Sequence, residues 1–185
     1  GLENLYAWLP ENEIDLEEGY RVENLSAAAI ESVEQVAPED LVGIATSIDI
    51  PYSVDDIAYV HFGIDPEDIN LETDSYNNRE YLTDEKCFLD HSCDLVQYEA
   101  EIQVRLPLNI EIITYIFSEA LWVDTEWGPA DIQRRYLTKA PEPSADWVNL
   151  DAEYGFIITL PQEDGSVKRI EAIWLNLSLD GLPVA

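Results

Sequence analysis

The apolar positions of this chain change their period part-way along it. Over residues 41–50, Ile44, Thr46, Ile48 and Ile50 alternate with Ala45, Ser47 and Asp49, the two-residue period of a strand, and Pro51 stops the pattern. Ser53 and Asp56 then stand at capping-box spacing, and Val54, Ile57, Ala58, His61 and Phe62 share one helical stripe that Gly63 closes. From Leu95 the strand period returns, with Tyr98, Ala100, Ile102, Val104 and Leu106 set against Glu99, Glu101, Gln103 and Arg105. Segments 111–123, 131–138, 154–160 and 167–179 follow as further strands. The last two flank Asp164-Gly165, a strong hairpin signal.

The ends of this pattern are helical or irregular. Leu2, Leu5 and Leu9 give a short apolar-faced helix that Pro10 stops, and Ser26 caps a second one carrying Ala27, Ile30, Val33 and Val36 on one side. Residues 64–94 have little periodicity and are expected to form a long irregular surface segment. The sum is one α+β domain over residues 1–185. It comprises a helical segment 1–40, a strand–helix unit 41–63, the loop 64–94, and an antiparallel sheet of about five or six strands over 95–180.

The junction Ala45-Thr46-Ser47-Ile48-Asp49-Ile50-Pro51-Tyr52-Ser53-Val54-Asp55-Asp56-Ile57, followed by long antiparallel strands, resembles the opening of START-like, helix-grip domains. The resemblance covers about residues 41–180. It implies a curved sheet that grips a helix and holds a lipid or another apolar ligand. Two departures stand out: the family ends in a long helix, which has no counterpart after Leu179, and residues 1–40 match nothing in it.

Composition narrows the partners. Among 185 residues, 39 are acidic and 9 basic, a formal charge of -30, while 46% are hydrophobic. That apolar fraction is far above what an acidic disordered tail carries. The charge excludes direct nucleic-acid binding, which draws on Lys and Arg. Its even spread along the chain describes a solvated coat, suited to a saline setting where ions screen the self-repulsion. No stretch of about 18 apolar residues exists, so no membrane span is expected. The chain has no Met, so Gly1 is not a translation start and a removed leader, hence export, is expected.

Candidate chemistry is sparse. Cys87 and Cys93, with five residues between them, are expected to form a disulfide, which in turn implies an oxidising compartment. With His91 they offer three zinc ligands, but at a spacing unlike the common closed sites, so no metal is expected. His61, on the apolar stripe, is expected to be a partly buried, hydrogen-bonded residue. No Gly-x-Ser-x-Gly, phosphate-binding loop or calcium loop occurs, so neither a cofactor nor a catalytic residue is named.

The leading expectation is a non-enzymatic exported domain that binds an apolar or amphipathic small molecule in a cavity between sheet and helices. Ile113, Tyr115, Phe117, Tyr136 and Trp174 are expected to line it, with Arg134 meeting an anionic head. The alternatives are a polyanion mimic with carboxylates in rows at phosphate-like spacing, and a carboxylate-only hydrolase holding two acids, one abnormally protonated.

Overall fold

The computed structural model describes residues 20–22, 41–65, 76–106 and 110–179. The helices expected within 1–19 and 23–40 lie outside them. The described chain is a nine-stranded antiparallel sheet with two single-turn helices. Its strands are β1 (Tyr20–Val22), β2 (Val42–Ile50), β3 (Tyr76–Tyr81), β4 (Leu95–Leu106), β5 (Ile110–Thr125), β6 (Gly128–Leu137), β7 (Glu142–Pro143), β8 (Val148–Pro161) and β9 (Val167–Leu179). The spatial order is β1-β2-β9-β8-β6-β5-β4-β3, with β7 appended to β5. The α+β class stands: six strands, β4 to β9, lie within residues 95–179, where five or six were expected, β2 is the strand expected at 41–50, and β1 and β3 are added to them.

Each added strand has a local reason. Tyr20–Val22, inside the segment expected to be helical or a polar link, pairs with Gly43–Ala45 and is too short to show a period. β3 and the helix α2 (Glu85–Leu89) both fall inside the segment 64–94 expected to be irregular. β3 is rich in Asn, Arg and Glu, yet it pairs with β4 along its whole length. A polar strand at a sheet edge carries no apolar alternation to announce it.

The helix α1 (Val54–Ala58) begins at the expected capping box: the Asp56 amide donates to Ser53 Oγ at 3.2 Å, and the Ser53 amide to Asp56 Oδ2 at 3.1 Å. A π-helical turn (Tyr59–Gly63) continues it. Both hairpin turns in the second half use glycine at positive φ, Gly128 at 125° between β5 and β6 and Gly165 at 86° between β8 and β9.

The sheet is buried on both faces. On the face bearing α1 and α2, Val54, Ala58, Phe62 and Phe88 pack with Val96, Tyr98, Ile116, Ala120, Trp122 and Val167. On the other face, Ala45, Ala130, Tyr154, Ile158, Ile170 and Trp174 form a second apolar cluster. The helix face is covered unevenly. α1 lies against β6 and β8 and α2 against β4, while β2 at the far side shows Val42, Ile44 and Ile48 at 50%, 49% and 59% exposure.

Candidate functional site

Strand pairing sets a line of residues across the helix face. Tyr98 on β4 stands opposite Ser118 on β5, Ser118 opposite Arg135 on β6, and Arg135 opposite Gly155 on β8. Gly155 then stands opposite Ile173 on β9, and Ile173 opposite Ile44 on β2. Cross-strand partners share a face, so this line runs from the covered half of the sheet to its open half. It starts polar and ends apolar.

A small, partly open cleft with a free volume of about 10 Å³ occupies the polar end. His61, Tyr98, Ser118, Gln133, Arg134, Arg135, Gly155 and Ile157 line it. His61 comes from the π-helical turn and the rest from β4, β5, β6 and β8, so it sits where helix and sheet part. His61 is partly buried with Nε2 3.3 Å from the Tyr98 hydroxyl, the satisfied environment expected for it.

Arg79 holds that turn in place. Its Nη1 donates to the His61 carbonyl at 2.6 Å and to the Tyr81 hydroxyl at 2.9 Å, and Tyr81 donates onward to the Phe62 carbonyl at 2.7 Å. Its guanidinium also lies 4.6 Å from the centre of the Tyr98 ring. Burial, followed by the guanidiniums of Arg79, Arg169 and Arg135, pushes the His61 imidazole down to about 3. His61 is therefore neutral at ordinary pH, and the potential around it is positive in a chain of charge -30.

Arg135 lies flat across β8 because residue 155 is glycine. A Cβ there would come within 2.8 Å of both Cγ and Nε of Arg135. Its Nε is 3.2 Å from Glu153 Oε1, an ion pair without hydrogen-bond alignment that leaves Nε without a hydrogen-bond partner. One row along the strands, Gln133 and Ile157 face each other. In the next row Asp131 faces Thr159, and Thr159 faces Arg169.

Asp131 and Thr159 are fully buried. Gln133 Nε2 donates to Asp131 Oδ2 at 2.5 Å, whereas Asp131 Oδ1 and Thr159 Oγ1 have no hydrogen-bond partner. Burial raises the Asp131 carboxyl to about 6. The group is buried beneath the cleft's rim rather than lining it. Among the described residues its hydrogen-bond partner is Gln133.

The six residues singled out in the sequence share a face, but it is the other one. Ile113, Tyr115 and Phe117 on β5, Arg134 and Tyr136 on β6, and Trp174 on β9 all point away from α1 and α2. Phe117 and Tyr136 stack at 5.3 Å there, and Trp174 meets Tyr154 at 6.1 Å. Tyr115 donates to Glu142, and Lys139 lies over its ring. Arg134 pairs with Glu119 across β5 and β6, and it is the one of the six that also borders the cleft, between Gln133 and Arg135.

Cys87 and Cys93 are bonded to each other, with Cα atoms 5.4 Å apart. His91 between them donates from Nε2 to Asp55 Oδ1 at 2.8 Å. The residues that sequence reasoning missed are Ser118, Gln133, Arg135, Gly155 and Arg169. The one signal was the adjacent pair Arg134-Arg135, whose members must face opposite ways in a strand.

No protein-family model matches the chain, and no curated protein matches it. Solved structures that resemble it include two of norcoclaurine synthase from Thalictrum flavum. A point mutant in complex with a transition-state analogue has a TM-score of 0.41 at 13% identity, covering 77% of this chain and 78% of that one. The enzyme in complex with dopamine and hydroxybenzaldehyde has a TM-score of 0.39 at 13% identity, covering 85% of this chain and 80% of that one.

Proposed function

We propose that this chain is an exported, non-enzymatic domain that binds one amphipathic small molecule on the helix face of its sheet. The polar end of the ligand sits in the cleft beneath His61, and its apolar body lies across β8, β9 and β2. The observation that carries the reading is the line from Ser118 and Arg135 through Gly155 to Ile173 and Ile44, a polar-to-apolar gradient on one face. From β6 to β2 is three strand spacings, about 14 Å, the length of a medium-chain amphiphile. In the middle of that line the stem of Arg135 lies over Gly155, which has no side chain of its own. The half-exposed Val42 and Ile44 supply apolar surface that water otherwise covers.

The disulfide supports the exported setting, because such bonds persist where thiols are not kept reduced. Among the described residues no helix is long and apolar enough to cross a membrane.

The test is calorimetric titration of decanoate into the wild-type protein and into the V42T/I44T variant. Both substitutions are β-branched and exposed, so folding should survive. Wild type should bind, and the variant should bind roughly tenfold more weakly, as expected for the apolar contact removed. Equal affinity in the two proteins would overturn the placement of the apolar body on β2.

A further inference from the structure

We infer that the polar head taken by this cleft is an oxyanion, received by the guanidinium of Arg135 and placed there by Gly155. This deepens the proposed function and rests on it. Three observations converge. First, Arg135 lines the cleft with 29% of its side chain exposed, and its one ion pair, to Glu153, runs through the buried Nε rather than the two Nη groups. Arginine presents a planar fork of donors matched to carboxylate, sulfate and phosphate oxygens.

Second, the geometry requires the absence of a side chain at position 155. Any Cβ there meets the Arg135 stem at 2.8 Å, so glycine is what lets the guanidinium lie across the sheet toward β9. Gly155 φ is not in the left-handed range, and no turn demands it, so the close approach is its reason for being glycine.

Third, cations are scarce in this chain, yet they gather here. Arg79 donates from Nη1 to the carbonyl of His61 and the Tyr81 hydroxyl, while its Nε, like that of Arg135, makes no hydrogen bond. Arg169, on the same face two strands from Arg135, has neither an ion pair nor a hydrogen bond among the described residues, although the chain holds 39 acidic residues. The carboxylates facing this region are Glu153, Glu171 and the buried Asp131. Even so, the guanidiniums dominate the potential at His61. Ser118 and Gln133, both 2% exposed, add short polar contacts on the far wall.

The experiment compares ten-carbon ligands that differ only in the head: decanoate, decyl sulfate, decanol and decyltrimethylammonium. They are titrated into the wild type, the R135Q/E153Q pair and the G155A variant. The double variant removes the ion pair together, so no half-buried charge is stranded. The glycine variant removes no charge and shifts the guanidinium alone. Wild type should prefer the two anions over decanol by about tenfold or more, the scale of one charge-assisted hydrogen bond. Both variants should lose that preference, read within each protein as the ratio of anion to decanol affinity.

If decanol binds as tightly as the anions in wild type, the oxyanion assignment fails while the binding function stands. If the preference survives in both variants, Arg135 is not the receptor and the assignment fails. If no ten-carbon ligand binds at all, the proposed function fails with it.

Discussion

At the scale of single residues, the helix face carries more polar burial than its cover explains. Asp131, Gln133, Ser118 and Thr159 are all nearly or wholly buried within three adjoining rows of the sheet. Asp131 is the most costly of them. Its carboxyl is raised from 3.8 to about 6 by burial, with the Gln133 amide pulling the other way.

A raised folded-state pKa means that the unfolded chain ionises first as pH rises. Stability from this group is therefore full below about pH 4 and declines until the folded carboxyl has also ionised, above about pH 6. The D131N variant keeps the acceptor for Gln133 and removes the ionisation. Its stability relative to wild type, from urea denaturation, should rise between pH 4 and pH 7 by up to about 3 kcal/mol, and then stay level. A difference that does not change with pH would contradict the burial of that charge.

At the scale of elements, the strand pattern was legible and its covered side was not. Alternation within β5 puts Ile113, Tyr115 and Phe117 on one face, because side chains alternate with period two whatever packs on them, and the register between strands brings Tyr136 and Trp174 to that face. Which face receives α1 is decided by the turn at Pro51–Ser53 and by packing of Val54, Ala58 and Phe62, and no count along a strand contains that. Both faces here are apolar, which removes the usual polar-outside cue.

The helix α2 was hidden for a different reason. One turn of helix shows no 3.6-residue stripe, and its start depends on Asp84, whose carboxylate accepts from the Lys86 and Cys87 amides at 3.0 and 3.3 Å. Phe88, wholly buried, stacks on Trp122 at 4.9 Å, and the Trp122 indole donates to the Phe88 carbonyl at 2.9 Å. The disulfide closes the following turn, in which His91 takes φ of 57° and reaches Asp55 at the start of α1. Replacing both cysteines by serine should lower stability by about 2 kcal/mol, the chain-entropy value for so short a loop. Guanidinium denaturation of the C87S/C93S pair measures it; an unchanged midpoint would show that Phe88 and Trp122 hold α2 without the bond.

At the scale of the whole molecule, the two halves of the helix face have different characters. α1, α2 and the π-helical turn close over β4, β5 and β6, and nothing among the described residues closes over Val42, Ile44 and Ile48. The α+β class and the strand–helix opening were evident from the apolar pattern. The site was not, because it arises where five strands set Ser118, Arg135, Gly155, Ile173 and Ile44 in line although they lie far apart in sequence. The net charge of -30 gives the site no position; the charges that bear on it are the guanidiniums of Arg79, Arg135 and Arg169 around His61.

The central claim is that ligand lies on the helix face along that line, and isoleucine methyls report it directly. In a titration of decanoate into protein carrying ¹³C-labelled isoleucine methyl groups, Ile44, Ile157 and Ile173 should shift together and saturate at one equivalent. Shifts confined to Ile113, Ile158 and Ile170, on the opposite face, would contradict the account.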